Sequence, residues 1–446
     1  MKTKTISGTY SAGYSLSANF SGLTVAATGS IGGTGLLVAN ASTVTNFGAI
    51  EAGGSVGANG ASFSAGGTII NEAGGLILGG QGRNGAGGGH AGYLGGAALV
   101  MSGLGLITNY GVMTGGQGGA GASGGVGGVG GAGVSIAAGG AVINNYEIIG
   151  GLGGAGATTG TRGAGVALFG GGLVQNGAAA DRTALIAGGL GVSLTGGAVA
   201  TVVNYGTITG YGGTAVRFNS ANDVLVAEAG SAFVGAVTGG GGTLQLLAGS
   251  AGGAVDGISG FGAVSFASGA KWTFNGANTI GGGLGVAGGT VVLAGTISDG
   301  GVGTTAVNFS SGVDRLVVQA GGVLVGMAVG DGATGTLELA GGAGTISGLG
   351  GAGTLSGGDI GAFSGFGVYQ VDAGAAWSLA GSNALAAGQT LTDIGAVTVY
   401  GMLSNAGAIV GGAGVTGIAG DVGHAAGGVG STALYVAGAG DRKSVV

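Results

Sequence analysis

Short apolar runs centred on an asparagine recur through the first half of the chain. In each run an apolar residue, usually β-branched, stands two positions before the asparagine and another aliphatic residue stands four positions after it, as at Val44, Asn46 and Ile50. This spacing predicts two short strands that meet at a corner and turn their apolar side chains towards one interior. Helices are not predicted, because glycine interrupts every candidate helical stretch within a few residues.

The regular return of these corners predicts stacked coils. Successive asparagines lie 25 to 38 residues apart, which indicates an all-β fold, a right-handed parallel β-helix (β-solenoid) whose coils pair with those above and below. Asparagine tolerates the left-handed backbone of a corner, and its amide can bond to the next amide along the axis. The alternative is that the asparagines only mark turns. The predicted ladder consists of Asn46, Asn71, Asn109, Asn145, Asn176 and Asn204.

The second half of the chain carries a longer unit twice. The segment Asp-Val-Leu-Val that begins at Asp223 matches the segment Asp-Arg-Leu-Val that begins at Asp314, at an offset of 91 residues. The two tryptophans, Trp272 and Trp377, occupy the same position of this longer unit. The first interpretation is that they fill the core or cap a corner, and the alternative is that they form platforms on which a glycan stacks.

Three glycine-rich insertions, Gln81 to Gly96, Gly115 to Gly133 and Gly150 to Gly165, interrupt the corner repeats. They are predicted to be either mobile loops on one face or extended glycine helices packed against one another. Such insertions commonly carry the binding surface of a solenoid, and an inert spacer is the alternative. The sequence thus divides into a cap with the first coils (1–42), asparagine-corner repeats with insertions (43–215), a second solenoid region (216–440) and a tail (441–446).

Composition excludes several other classes of protein. The chain has 446 residues, of which 124 are glycine and none is proline, and this excludes collagen. Only 6% of the residues are charged, which excludes a solvated disordered chain. The absence of cysteine excludes disulfides and thiol sites. With a formal net charge of -6 and no basic cluster, nucleic acid is not an expected partner.

Residues that could carry catalysis or hold a cofactor are sparse. Carboxylates are scattered singly, and His90 and His424 stand alone in glycine-rich loops, so no enzyme activity, cofactor or metal site is expected. No stretch is long and apolar enough for a transmembrane helix, and no secretory signal peptide is visible. The last six residues match one translated frame of a common sequencing adapter, which predicts that the natural chain continues beyond Gly440.

The repeats resemble those of a group of bacterial proteins. The V-x-N-[FY]-G-x-I units and the two tryptophan-containing modules look like the passenger regions of bacterial autotransporters and large secreted adhesins. More narrowly, the start Ile6-Ser7-Gly8-Thr9-Tyr10 is similar to that of surface proteins that end in a Hedgehog/intein-type (Hint) domain. The resemblance implies an extracellular or cell-surface location, with glycans, a host or neighbouring cell surface, or further copies of the chain as partners.

Two functions follow as expectations. The first is an exported, non-enzymatic rod that presents loops for adhesion or contact with a matrix. The alternative is a self-assembling structural module of a biofilm matrix, because the ends of a solenoid are open sheet edges. An ice-binding solenoid would need arrays of threonine in register, and Thr-x-Thr steps such as the one at Thr207 are few.

Overall fold

The computed structural model describes residues 2–53, 57–299, 304–357 and 360–411 and the backbone of Tyr435–Val436. All regular elements in these residues are β-strands. The chain forms two compact units, one of residues up to 245 with 253–263, and one of residues 246–252 with those from 264 onward. His424 and the predicted tail at 441–446 lie outside the described residues. The predicted division between residues 215 and 216 separates repeat types and stays a prediction.

Most strands up to residue 263 have two to five residues, because glycine and turn residues close each of them. Their bounds are β1 Thr3–Ile6, β2 Thr9–Tyr10, β3 Tyr14–Leu16, β4 Gly22–Val25, β5 Ser30–Ile31, β6 Leu36–Val38, β7 Ser42–Asn46, β8 Ala49–Glu51, β9 Ala61–Phe63, β10 Gly67–Asn71, β11 Leu76–Leu78, β12 Leu99–Met101, β13 Gly105–Asn109, β14 Val112–Thr114, β15 Val134–Ile136, β16 Gly140–Asn144, β17 Glu147–Ile149, β18 Val166–Leu168, β19 Gly172–Asn176, β20 Leu185–Leu194, β21 Ala200–Asn204, β22 Thr207–Arg217, β23 Val224–Ala227, β24 Ala232–Thr238, β25 Thr243–Leu246, β26 Gly253–Asp256 and β27 Ile258–Ser259.

The remaining strands include two long ones, β36 and β39, each of which runs through more than one side of a coil. Their bounds are β28 Ala263–Phe266, β29 Ala270–Asn275, β30 Ala277–Thr279, β31 Leu284–Val286, β32 Gly289–Leu293, β33 Thr296–Ser298, β34 Thr305–Phe309, β35 Arg315–Val318, β36 Val323–Leu339, β37 Ala343–Ser347, β38 Gly353–Ser356, β39 Ile360–Val371, β40 Ala376–Leu379, β41 Ser382–Leu385, β42 Thr390–Asp393, β43 Ala396–Val399, β44 Met402–Asn405, β45 Ala408–Gly411 and β46 Tyr435–Val436.

Three strands make one coil in the middle of the first unit, and equivalent strands of successive coils pair in parallel. The strand that ends at the corner asparagine, β7, pairs with β10. The same register continues from each strand to the next along the row β10, β13, β16, β19 and β21. The strands after the corner stack as β8, β11, β14 and β17, and those on the third side as β9, β12, β15 and β18. The predicted parallel β-helix is confirmed.

The core of each coil comes from the alternation of side chains along its strands. Val44 and Ile50, on either side of the first ladder corner, are completely buried, whereas Thr43 and Glu51 face solvent. The equivalent apolar position of every later corner is also fully buried. The register between coils is therefore fixed, because a shift by one residue would turn the whole set towards solvent. These residues are Ile69, Ile107, Val142, Val174 and Val202.

The second unit repeats this arrangement with a local interruption. The strands β29, β32, β35 and β36 pair in parallel, followed by β39 and β42. Between β36 and β39 the chain forms an antiparallel excursion, in which β38 pairs with both β37 and β39.

The first residue of each longer repeat is an aspartate whose carboxylate accepts hydrogen bonds from backbone amides of a turn or of the preceding coil. Asp223 accepts a hydrogen bond from the Ala200 amide at 2.8 Å and one from the Ser220 amide at 3.0 Å. Asp314 accepts from the amides of Gly288 at 2.8 Å and Gly289 at 3.1 Å. Both aspartates are buried, so their carboxylates satisfy backbone donors that would otherwise have no partner.

Candidate functional site

The corner asparagines of the first unit form a continuous ladder of side-chain hydrogen bonds. The Nδ2 of Asn46 donates to Oδ1 of Asn71 at 2.8 Å, and Asn71 donates in the same way to Asn109 at 2.9 Å. The row continues from Asn176 to Asn204 at 2.9 Å. Every ladder amide is fully buried and also donates to a backbone carbonyl at the corner, such as Gly75 O from Asn71. The ladder satisfies polar groups inside the corner, so its role is structural.

The prediction that Asn145 belongs to the ladder is wrong, because the preceding residue occupies the position. Asn144 pairs in register with Asn109, accepts its amide at 2.8 Å and donates to Asn176 at 2.9 Å. Asn145 follows the strand and is half-buried, and only its backbone N–H bonds to the coil below, at Asn109 O. Both asparagines have an apolar residue two positions before and four positions after, so the sequence rule could not choose between them.

Both tryptophans lie in the core of the second unit. Trp272 is completely buried and Trp377 is 2% exposed. The alternative that they are glycan-stacking platforms is therefore wrong, because neither ring face is open to a ligand. The two differ in one respect: Trp272 donates from Nε1 to Leu247 O at 3.0 Å, whereas the buried Nε1 of Trp377 has no hydrogen-bond partner among the described residues.

This difference gives a matched pair of substitutions. Both Trp272→Phe and Trp377→Phe reduce core volume, but only Trp272→Phe removes a hydrogen bond. We expect Trp272→Phe to lower the free energy of unfolding by about 1 kcal/mol more than Trp377→Phe. The fluorescence of the tryptophan that remains in each variant reports its urea denaturation. Equal losses in the two variants would show that the bond to Leu247 contributes nothing.

The glycine-rich insertions are ordered segments that pack against one another. We call residues 79–98, 115–133 and 150–165 the glycine bundle. Amides three residues apart bond to the same neighbouring segment: Gly79, Gly82 and Gly85 donate to the carbonyls of Thr114, Gln117 and Ala120 at 2.7 to 2.9 Å. A three-residue period of bonds that go to neighbouring runs of the chain is the geometry of an extended helix of the polyproline II type. Of the two predicted forms, the structure has the packed extended helices.

Each insertion runs outward, bends and returns, and the two directions form two bonded layers. An alternating chain of amides links the layers: Gly116 donates to Gly96 O, Gly131 to Gly116 O and Gly151 to Gly131 O, at 2.7 to 2.8 Å. Positive φ angles at the bends, such as 92° at Gly87 and 82° at Gly124, explain the glycines there.

Close packing of backbones explains the Gly-Gly-x pattern of the glycine bundle. A Cβ atom on Gly116 would lie 2.0 Å from Gly80 O, and one on Gly131 would lie 1.9 Å from Gly96 O. The third residue of each triplet points away from the other layer and can carry a side chain. On the returning layer these outward residues include Leu94, Val126 and Val129, which are 64%, 48% and 39% exposed.

The second unit has a polar cleft that the sequence interpretation did not identify. It lies on the outward face of the parallel sheet formed by β29, β32, β35 and β36. Arg315 pairs with Glu338 from the adjacent coil through both Nε and Nη2. Lys271 is exposed and has no ion-pair partner among the described residues. The sequence carries no local signal for it, because Arg315 and Glu338 lie 23 residues apart and become neighbours only through the pairing of β35 with β36.

Glu338 is the buried ionisable group of this cleft. Burial raises the pKa of Glu338 above its ordinary value, a hydrogen bond with Asp372 raises it further, and Arg315 opposes both by lowering it. Asp372 also accepts a hydrogen bond from Nε2 of Gln370 at 2.6 Å.

Comparisons with known proteins add no relative, since no protein-family model, curated protein or solved structure matches this chain. Within the described residues, no group of three or more histidine, aspartate and glutamate side chains is placed to hold a metal ion. None of the elements described is a helix of the length and hydropathy needed to cross a membrane. The fold defines the protein as a parallel β-helix.

Proposed function

We propose that the chain is an exported, non-enzymatic protein of a bacterial cell surface or extracellular matrix, in which the β-helix holds the glycine bundle as a contact surface. The observation that carries this proposal is the row of exposed aliphatic side chains on a hydrogen-bonded backbone. The resemblance of the repeats to passenger regions of autotransporters and secreted adhesins supports the same assignment. The partners proposed are glycans and the surfaces of host or neighbouring cells.

Register within the glycine bundle supports a contiguous contact surface. Gly95 donates to Val129 O and Gly130 donates to Thr161 O, both at 2.9 Å. These bonds place Leu94, Val129 and Thr161 at equivalent positions of three adjacent segments. Exposed apolar side chains that are contiguous mark interaction surfaces more often than isolated ones do. The outward residues of the returning layer therefore form a surface of regular spacing.

The rigidity of the glycine bundle also supports binding. A flexible loop loses conformational freedom when it binds, which costs about 0.5 to 1.5 kcal/mol for each immobilised side chain that is rich in rotamers. The backbone of this surface is already fixed by bonds within and between its layers. Valine and threonine side chains have few rotamers. Binding to this surface would therefore lose little conformational entropy.

The test is retention of bacterial cells, erythrocytes and a panel of polysaccharides by the immobilised chain. Val129→Asp places a charge at the centre of the contact surface and should reduce retention about tenfold, equivalent to about 1.4 kcal/mol. Leu104→Asp is the matched control, because Leu104 is 71% exposed in the same unit but lies outside the glycine bundle. Its retention should equal that of the unmodified chain.

Two outcomes would contradict the proposal. One is retention of none of these surfaces, and the other is an equal loss in Val129→Asp and Leu104→Asp. Retention of further copies of the chain alone, with fibres in electron micrographs, would instead support the self-assembling matrix module.

A further inference from the structure

The cleft of the second unit places two cationic side chains, Lys271 and Arg315, on one face of the sheet. Glu338, which is ion-paired with Arg315, and several hydrogen-bonding side chains lie on the same face. Alternation along β29 buries Trp272 and Phe274 and turns Lys271 and Thr273 outward. The register pairs Lys271 with Thr290 and Thr290 with Arg315, so the two cations stand in one row, two coils apart. At about 4.8 Å per coil, their Cα atoms are separated by about 10 Å along the axis.

We infer that this cleft binds an acidic polysaccharide, with Lys271 and the free guanidinium N–H groups of Arg315 holding carboxylates of successive parts of the ligand. Glu338 holds Arg315 in place from the next coil. Because the charge of Glu338 is compensated by Arg315, the charge of Lys271 remains available to an anion. The site is distinct from the contact surface of the glycine bundle and does not depend on it.

The lining of the cleft favours a carbohydrate. Thr273, Thr290 and Gln319 offer hydroxyl and amide groups along the cleft, which suit a ligand rich in hydroxyl groups. Val292 and Val317 form its floor, only 5% and 8% exposed beneath the longer side chains. Because the floor is largely covered, the polar walls supply the contacts, and their hydroxyl and amide groups can pair with the hydroxyl groups of a sugar.

The backbone of this sheet argues against an acidic peptide as the ligand. Peptides that bind to β-sheets commonly add a strand to an unpaired edge. The strands at this cleft are interior to their sheet, since β32 pairs with both β29 and β35, and β35 also pairs with β36. Only side chains face the ligand, so recognition depends on their charges and hydroxyl groups.

The experiment measures binding of the full chain to polygalacturonate, with dextran as a neutral polysaccharide and polyglutamate as an acidic peptide. We expect polygalacturonate to bind, dextran to bind at least tenfold more weakly, and binding to weaken as salt screens the charges. Equal binding of dextran would overturn the role of the two cations. Equal binding of polyglutamate would overturn the assignment to a saccharide.

Two variants with opposite expected effects separate the site from a loss of folding. Lys271→Gln removes the unpaired cation and should weaken polygalacturonate binding about fivefold. Glu338→Gln retains the shape of the side chain but removes its charge, which frees Arg315 for the ligand and should tighten binding about threefold. Arg182→Gln, which changes an exposed arginine of the first unit, should have no effect. A loss of binding in Glu338→Gln, or no change in Lys271→Gln, would contradict the inference.

The pH dependence provides a further readout of the same cleft. The charged groups that face Glu338 are Arg315 and Asp372, with Lys271 at the opposite side of the cleft. Because the pKa of Glu338 is raised, it takes up a proton at a higher pH than an ordinary glutamate, and the cleft then gains one unit of positive charge. Polygalacturonate binding should tighten as the pH falls towards that pKa, and Glu338→Gln should remove this dependence. The same dependence in Glu338→Gln would assign it to another group and contradict the role of Glu338.

The contact-surface variant Val129→Asp should leave polygalacturonate binding unchanged, so the two proposals can fail separately.

Discussion

Replacing Asn109 with alanine is expected to lower the free energy of unfolding of the first unit by about 3 kcal/mol. The side chain of Asn109 donates to Asn144 Oδ1 at 2.8 Å and to Glu147 O at 3.0 Å, and accepts from Asn71 Nδ2 at 2.9 Å and the Gly111 amide at 3.3 Å. Alanine removes all four bonds and leaves buried partners that water cannot reach. Chemical denaturation followed by circular dichroism measures the loss, and amide hydrogen exchange locates it.

The chain offers a matched control for this substitution at Asn145. Asn145 lies beside the ladder but is half-buried and contributes no side chain to it. Asn145→Ala should change the free energy of unfolding by no more than about 0.5 kcal/mol. Comparable losses in the two variants would mean that the ladder has no special contribution to stability. In Asn109→Ala, hydrogen exchange should be fastest for the strands of the coils that Asn109 joins, because a solenoid is stabilised through neighbouring coils.

The substitution Gly116→Ala is expected to force apart the outward runs of two neighbouring insertions in the glycine bundle. A Cβ atom at this position would lie 2.0 Å from Gly80 O and 2.5 Å from Gly80 C, and these atoms belong to backbone that cannot rotate away. Gly116 also donates to Gly96 O and accepts from the Gly131 amide, at 2.7 and 2.8 Å. Overpacking of this kind costs about 1 to 3 kcal/mol. Hydrogen exchange should be faster at the amides of Gly96 and Gly116, because Gly80 O, the atom that the new Cβ would displace, also accepts the Gly96 amide.

Gly88→Ala is the control for this effect, because a Cβ atom on Gly88 would meet no atom of the described residues within 4 Å. It should leave exchange in the glycine bundle unchanged. If Gly116→Ala also left the exchange unchanged, the runs that contain Gly80 and Gly116 would not be packed as closely as the structure has them. Retention of cells by Gly116→Ala should fall as well, because the contact surface depends on the spacing of the segments beneath it.

Much of the first unit could be predicted from local pattern. The spacing of Val44, Asn46 and Ile50 predicts a corner between two strands. The prediction is local, because a corner that buries one amide and an aliphatic residue on each side requires this spacing in any coil. The same spacing failed at the Asn144–Asn145 pair, where two registers satisfied it equally. At this corner the pairing of β13 with β16 selects Asn144 as the ladder residue, because this register buries Val142 and continues the ladder from Asn109.

The cleft could not be predicted in this way, because its members are far apart in the sequence. Lys271, Arg315 and Glu338 each look like a single charged residue in an apolar strand, and only the stacking of coils makes them neighbours. The exposure of the tryptophans was equally open, because their matching repeat position agrees with a core residue and with a binding platform.

The sequence by itself determined the all-β class, the stacked coils and the asparagine corners, since these depend on residue types at short spacings that repeat. It left two forms open for the glycine-rich insertions. Their packing into two layers was decided by the tertiary structure, because backbone hydrogen bonds between segments about 35 residues apart, such as Gly82 to Gln117, fix it. The same physical reason holds for the charged cleft: a parallel β-helix brings together residues one coil apart, and the length of each coil depends on how its insertions fold.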